Sequence, residues 1–283
     1  MKMNEIHIRD PFILPYEGVY YMYGSRGGAQ QGFDVYTSTD LEEWNGPKAV
    51  FLNSDEFWAE KDFWAPEVHF YNGKFYMFAT FISGTRKRGT QILVSDTPDG
   101  TFVPHSDGPI TPADWMALDG TLYLSPEGKP YMVFCHEWVQ IGDGTMCAVE
   151  LSKDLSRPVS EPVLLWHASD PEMTVDIGGG YVTDGPFFVK KEDQLLCIWS
   201  GFDKNGYIEI VSRSDNGRLD GNWSHDSELL FTKDGGHGMI FTTFEGQLKF
   251  VCHSPNKSPL ERPNLRDIEL VKEDGLWKLR CVK

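Results

Sequence analysis

Phe63-Trp64-Ala65-Pro66-Glu67-Val68-His69, the turn Tyr71-Asn72-Gly73-Lys74 and the run Phe75-Tyr76-Met77-Phe78 together carry one complete structural signal. An acidic residue opens a run of β-forming residues. Asn-Gly then supplies a hairpin turn with positive φ, and an aromatic-rich strand returns. Four other stretches share this layout: Arg9-Asp10-Pro11-Phe12, Leu118-Asp119-Gly120-Thr121, Thr183-Asp184-Gly185-Pro186 and Gly236-His237-Gly238-Met239. Their titratable residues are spaced by 57 (10 to 67), 52 (67 to 119), 65 (119 to 184) and 53 (184 to 237) residues. A period of about 50 residues marks a repeated supersecondary unit.

A second element recurs inside each of the first four units. Val35-Tyr36-Thr37-Ser38-Thr39-Asp40, Ile92-Leu93-Val94-Ser95-Asp96, Ala148-Val149-Glu150-Leu151-Ser152 and Ile210-Val211-Ser212-Arg213-Ser214-Asp215 each run from a strand into serine. A further β-like segment follows each. About four strands per unit is a propeller blade. No long apolar run has helical spacing, and no linker divides the chain. The expected fold is all-β: a five-bladed β-propeller in a single domain over residues 1–283. The fifth unit departs after His253, where Ser254-Pro255-Asn256-Lys257-Ser258-Pro259 reads as a polar loop. First strands of blades line a central channel, so matched residues on them form a ring. Asp10, Glu67, Asp119, Asp184 and His237 are expected at one depth.

The bulk numbers fit a globular enzyme or binding module. The chain has 283 residues, 13% of them aromatic, and a formal net charge of −16. Such a surface repels phosphate backbones and anionic lipids, so no nucleic-acid and no membrane partner is expected. A neutral oligosaccharide meets no such barrier. The five cysteines have no CxxC spacing, and three lie in apolar strand-like runs, as buried free thiols do. No run is long enough for a membrane span. The first strand begins near Glu5, so a cytoplasmic location is expected unless a leader has been removed. Nothing in the pattern specifies an oligomeric state.

Glycosidic cleavage needs two carboxyl groups flanking the bond, one protonated and one ionised. A third carboxylate near the acid helps it keep its proton. Asp10, Glu67 and Asp184 supply three such groups, and Trp64, with Phe63, offers a flat apolar face to a sugar ring. These motifs, in this order and at this spacing, resemble glycoside hydrolase family 43, five-bladed propellers acting on arabinose- and xylose-containing glycans. The resemblance covers nearly the whole chain. It implies that Asp10 is the general base, Glu67 the carboxylate that modulates and orients the acid, and Asp184 the general acid. It also implies that His237 lies on the axis, where a structural calcium ion in the channel is possible; no cofactor is required. The family usually has aspartate at the position of Glu67 and glutamate at that of Asp184. The swap moves about 1.5 Å of reach from one blade to another, so either Asp184 or Glu67 delivers the proton.

Further candidates are Asp119 for a sugar hydroxyl and His136, in the cluster His136-Glu137-Trp138 at the channel mouth. Arg262 resembles an arginine that family members place beside the modulating carboxylate. The resulting expectation is an inverting, exo-acting α-L-arabinofuranosidase. Chain-end action follows only from the assumed cytoplasmic setting. β-Xylosidase, galactofuranosidase and a non-catalytic sugar-binding propeller are the alternatives. A propeller phosphorylase would need cations at the ring, which is mostly acidic.

Overall fold

The computed structural model describes residues 1–26 and 30–282. It is a five-bladed β-propeller in which each blade is a four-stranded antiparallel meander. Blade 1 comprises β1 (Phe12–Tyr16), β2 (Val19–Ser25), β3 (Gly32–Ser38) and β4 (Asn45–Leu52). Blade 2 comprises β5 (Lys61–Tyr71), β6 (Lys74–Ile82), β7 (Gly89–Ser95) and β8 (Val103–Pro104). Blade 3 comprises β9 (Ala117–Leu124), β10 (Pro130–His136), β11 (Thr145–Glu150) and β12 (Val163–His167). Blade 4 comprises β13 (Asp184–Lys191), β14 (Gln194–Asp203), β15 (Gly206–Ser214) and β16 (Trp223–His225). Blade 5 comprises β17 (Gly236–Thr242), β18 (Leu248–Ser254), β19 (Arg262–Glu273) and β20 (Leu276–Cys281). The polar stretch after His253 is therefore the β18–β19 connection, and the fifth blade has all four strands.

The Asn72-Gly73 turn has both residues at positive φ and joins β5 to β6 with Tyr71 paired to Lys74. The innermost strands β1, β5, β9, β13 and β17 pack against one another in sequence, and β17 returns to β1. Apolar residues on both faces of each blade fill the wedges between blades. Phe81, Phe63, Phe51 and Phe33 fill one wedge between blades 1 and 2, and Trp166, Trp199 and Ile210 another between blades 3 and 4. All five cysteines are free thiols, four of them buried.

Every blade is built from consecutive strands, so no strand is exchanged to close the ring. Blade 5 meets blade 1 by packing Met239, Phe241 and Val251 into the same cluster as Ile13 and Tyr20. Polar latches add to this. The Tyr20 hydroxyl accepts the Phe244 N–H at 3.1 Å, and the Arg262 guanidinium donates to the Asn4 carbonyl at 3.1 Å.

Candidate functional site

One backbone device sets the ring. Asp10, Ala65, Asp119, Gly185 and His237 have φ of 54°, 45°, 55°, 50° and 51°. Each is followed by Pro or Gly: Pro11, Pro66, Gly120, Pro186 and Gly238. In blades 2 to 5 the pairing of the first two strands shifts register at this point, as a β-bulge does. Three of the five bulge amides are satisfied across blades: the N–H of Asp119 donates to Thr80 Oγ1 at 3.0 Å, that of Gly185 to Asp119 Oδ2 at 3.1 Å and that of His237 to Ser200 Oγ at 2.6 Å. Where the next residue is glycine, its N–H also finds an acceptor: Gly120 on Thr90 Oγ1 at 3.1 Å, Gly238 on Glu209 Oε2 at 3.2 Å. Where it is proline, no donor exists to be satisfied.

This register corrects one expectation. The ring residue of blade 2 is Ala65, not Glu67. Glu67 lies two residues, about 7 Å, further along β5. It is buried, its Oε2 is 3.2 Å from His69 Nε2, and it does not line the mouth cavity. In blade 4 the ring residue is Gly185, and Asp184 is the residue before it.

The mouth cavity has a volume of about 560 Å³ and is bounded by Asp10, Asp119, Asp184 and His237 together with Trp64 and Trp138. His237 Nδ1 is 3.3 Å from Asp10 Oδ1 and 3.6 Å from Asp119 Oδ2. His253 Nδ1 is 3.1 Å and Arg9 Nε 3.7 Å from Asp10 Oδ1. Burial opposes the charge on Asp10, but His237, His253 and Arg9 outweigh it and hold this carboxyl well below the usual range. Asp119 is driven the other way by burial and by the charge of Asp10, opposed by the Gly185 N–H, which donates to it at 3.1 Å. Asp184 is pushed up to about 7 by burial first and by Asp119 second. The Tyr207 hydroxyl, itself buried, donates to Asp184 Oδ2 at 2.9 Å. Asp119 and Asp184 are one coupled pair that retains a proton near neutral pH, facing an ionised Asp10.

The remaining candidates divide. Trp64 is 40% exposed and lines the cavity, with the Arg88 guanidinium 4.6 Å from its ring centroid. Phe63 faces the opposite way, into the core. In the His136-Glu137-Trp138 cluster the last two residues line the cavity. His136 does not: it stacks on Trp115 at 4.0 Å and pairs with Gln140 at 3.0 Å. Arg262 is also elsewhere. Its guanidinium donates to the carbonyls of Asn4, Pro259 and Glu261 and contacts His7, anchoring the N-terminal segment instead of a channel carboxylate. Glu261, its neighbour, does reach the cavity and accepts from Arg9 at 3.3 Å. Direct calcium ligation by His237 does not fit. Its Nδ1 is committed to two carboxylates, its ring packs against Gly185, and calcium prefers oxygen. Among the described residues no group of three or more His, Cys, Asp or Glu side chains is arranged to hold a metal.

Tyr207, His253 and Arg9 were given no role from the sequence, whereas Glu137 belongs to the cluster expected at the channel mouth. His253 and Tyr207 lie on second and third strands, where no ring pattern points to them. The left-handed residue followed by Pro or Gly is a signal that would have set the register of blade 2 correctly.

Residues 4–271 match the model of Glycosyl hydrolases family 43. The crystal structure of an endo-arabinase from Bacteroides thetaiotaomicron VPI-5482 superposes with a TM-score of 0.91 at 38% identity, covering 97% of this chain and 98% of that one. An extracellular endo-α-(1→5)-L-arabinanase of Bacillus subtilis is 25% identical over 148 residues, 48% of this chain and 45% of that protein. Xylosidase/arabinosidase 43A of Humicola insolens is 26% identical over 154 residues, 48% of this chain and 46% of that protein. The chain thus spans somewhat less than half the length of these two curated relatives. With the family model matched across nearly all five blades, the chain belongs to glycoside hydrolase family 43.

Proposed function

We propose that the protein hydrolyses α-L-arabinofuranosyl linkages of arabinan with inversion at the anomeric carbon. The observation that carries this reading is that two carboxyl groups with pKa values shifted in opposite directions line one cavity. Asp10 is held ionised by two imidazoles and Arg9, while Asp184 is raised to about 7 beside Asp119. Asp10 takes a proton from water as that water attacks the anomeric carbon. Asp184 gives its proton to the departing oxygen, so the bond breaks without expelling an alkoxide. Asp119, not Glu67, is the second carboxyl of the pair that retains this proton. Trp64 and Trp138 provide apolar faces for the sugar rings. The preference for arabinan over xylan rests on the endo-arabinase that matches over almost the full length. The same relative favours cuts within the chain over the chain-end cleavage expected from sequence.

Linear α-1,5-arabinan tests this directly. Internal cleavage predicts a ladder of oligosaccharides with the anomeric configuration inverted in the first products. Release of arabinose alone would restore the chain-end reading. No hydrolysis of arabinan, with turnover of an aryl β-xyloside, would overturn the arabinan assignment. Asp10→Asn should lower turnover about 1,000-fold or more while leaving binding nearly intact, since the shape survives and the proton acceptor does not. Binding by the wild type without hydrolysis of either substrate would favour a sugar-binding role.

A further inference from the structure

The loop between β6 and β7 contains Arg86-Lys87-Arg88, three successive cations in a chain of net charge −16. Strand direction places this loop. The catalytic carboxyls sit at the starts of inner strands, and in an antiparallel meander the second strand ends, and the third begins, at that same end. The cations are therefore on the face that carries the mouth cavity. They line a second cavity of about 340 Å³ together with Asp107 and Thr111.

Arg88, which lines the second cavity, and Trp64, which lines the mouth cavity, stack together between the two. The Arg88 guanidinium lies over the Trp64 ring and is neutralised by Asp62 at 2.7 Å and by Glu137. Arg86 and Lys87 are different. Among the described residues neither makes an ion pair within 4.0 Å, Asp107 included. Arg86 is nonetheless placed. Its guanidinium lies 5.4 Å from the Trp58 ring centroid and against the Cα of Gly108, where a side chain would collide with it. Trp58 is fixed in turn by Nε1 donating to Gln91 Oε1 at 2.5 Å. A cation held in position without a counter-ion, one wall away from the catalytic carboxyls, is a preformed anion site.

We propose that the second cavity is a binding subsite for an acidic sugar of the substrate, whose carboxylate pairs with Arg86 and Lys87. The scissile linkage is neutral; the unit beyond Trp64 and Arg88 is a uronate. This deepens the arabinan reading and rests on it. It also explains why the cations are needed. The protein as a whole repels an anionic glycan, over a range of about 8–10 Å in physiological salt, and only a local cationic patch offsets that.

The probe is an arabinofuranosyl oligosaccharide carrying a hexuronate, compared with the same preparation after reduction of its carboxyl groups to alcohols. At low salt kcat/KM on the acidic form should exceed that on the reduced form by up to about 10-fold, the effect of two exposed charge pairs. The doubly substituted Arg86→Gln, Lys87→Gln protein should bring that ratio to one or below, because the remaining surface still repels the acid. Equal kcat/KM on the two forms, or a ratio that survives the double substitution, would overturn the proposal. Calorimetric binding of both probes to the Asp10→Asn protein separates this from the catalytic reading. Preferential binding of the acidic form there, with wild type inactive on arabinosyl linkages, would keep the subsite and remove the proposed activity. No preference in that binding would remove the subsite whatever the wild type hydrolyses.

Discussion

Asp184, the proposed acid, is one methylene shorter than a glutamate would be, and its neighbour on the proposed proton path is Tyr207. Its hydroxyl holds Asp184 Oδ2 at 2.9 Å, and its ring stacks at 23° on His253, which faces the base Asp10. Acid and base are thus held by one packed unit. Tyr207→Phe keeps the ring and removes the donor. The hydroxyl favours the ionised form of Asp184, so its loss raises that pKa and moves the alkaline limb of the kcat/KM profile upward from about 7. Turnover should fall about 10-fold, from a freed acid, with KM little changed. Asp119→Asn should act in the opposite direction. It removes the negative charge beside Asp184, lowers its pKa and moves the alkaline limb down. A profile that shifts the same way in both variants would disprove these assignments. In Asp184→Asn, substrates with poor leaving groups should suffer most, since an activated aryl leaving group needs little protonation. If Glu67→Gln shows that dependence instead, Glu67 is the donor.

The element that makes the site is the bulge, and its legibility in the sequence was partial. Asp10-Pro11, Asp119-Gly120 and His237-Gly238 were aligned correctly because the titratable residue is itself the left-handed one. Blade 2 was misaligned because its left-handed residue, Ala65, carries no charge, and Glu67 is the nearest acid to the expected place. Hairpin turns and inner strands were readable because turn chemistry and aromatic strands are local properties. Tyr207, His253 and Arg88 were not, because their roles depend on contacts between strands far apart in the chain. The cross-blade hydrogen bonds to the bulge give an element-level test. Thr90 is fully buried and is the acceptor for Gly120 N–H, so Thr90→Val leaves a buried donor unpaired. We expect a loss of about 1–3 kcal/mol in denaturant unfolding. Gly238→Ala should cost a similar amount for another reason: its Cβ would meet the buried ring of Phe250, an overpacking penalty of about 1–3 kcal/mol. Neutral behaviour of both would mean that the bulge tolerates its neighbours and does not depend on them.

At the scale of the molecule, the question is what holds a ring together when no strand is exchanged across its seam. Two kinds of contact span blades 5 and 1. One is apolar: Phe241 is 5% exposed and packs 6.0 Å from Tyr20, inside the cluster shared by both blades. The other is polar: Arg262 on the Asn4 carbonyl and His7 at the outside, and Arg9 on the buried Glu261 at the mouth cavity. Burial decides between them. Emptying a packed phenylalanine site costs about 3–5 kcal/mol, whereas exposed charged contacts are worth about 0–1 kcal/mol. Phe241→Ala should therefore lower stability by several kcal/mol, and Arg262→Ala by less than about 1 kcal/mol. The shape of the transition carries the further information. If the seam is one wedge among equals, Phe241→Ala unfolds in a single step at lower denaturant, because every blade is buttressed on both sides. If the seam is the weak point, fluorescence and circular dichroism should separate into two transitions, with the ring opening before the blades melt. The continuity of the apolar cluster from blade 5 through blade 1 into blade 2 favours the single step. An Arg262→Ala protein less stable than Phe241→Ala would reverse the ranking and make the N-terminal latch the true closure.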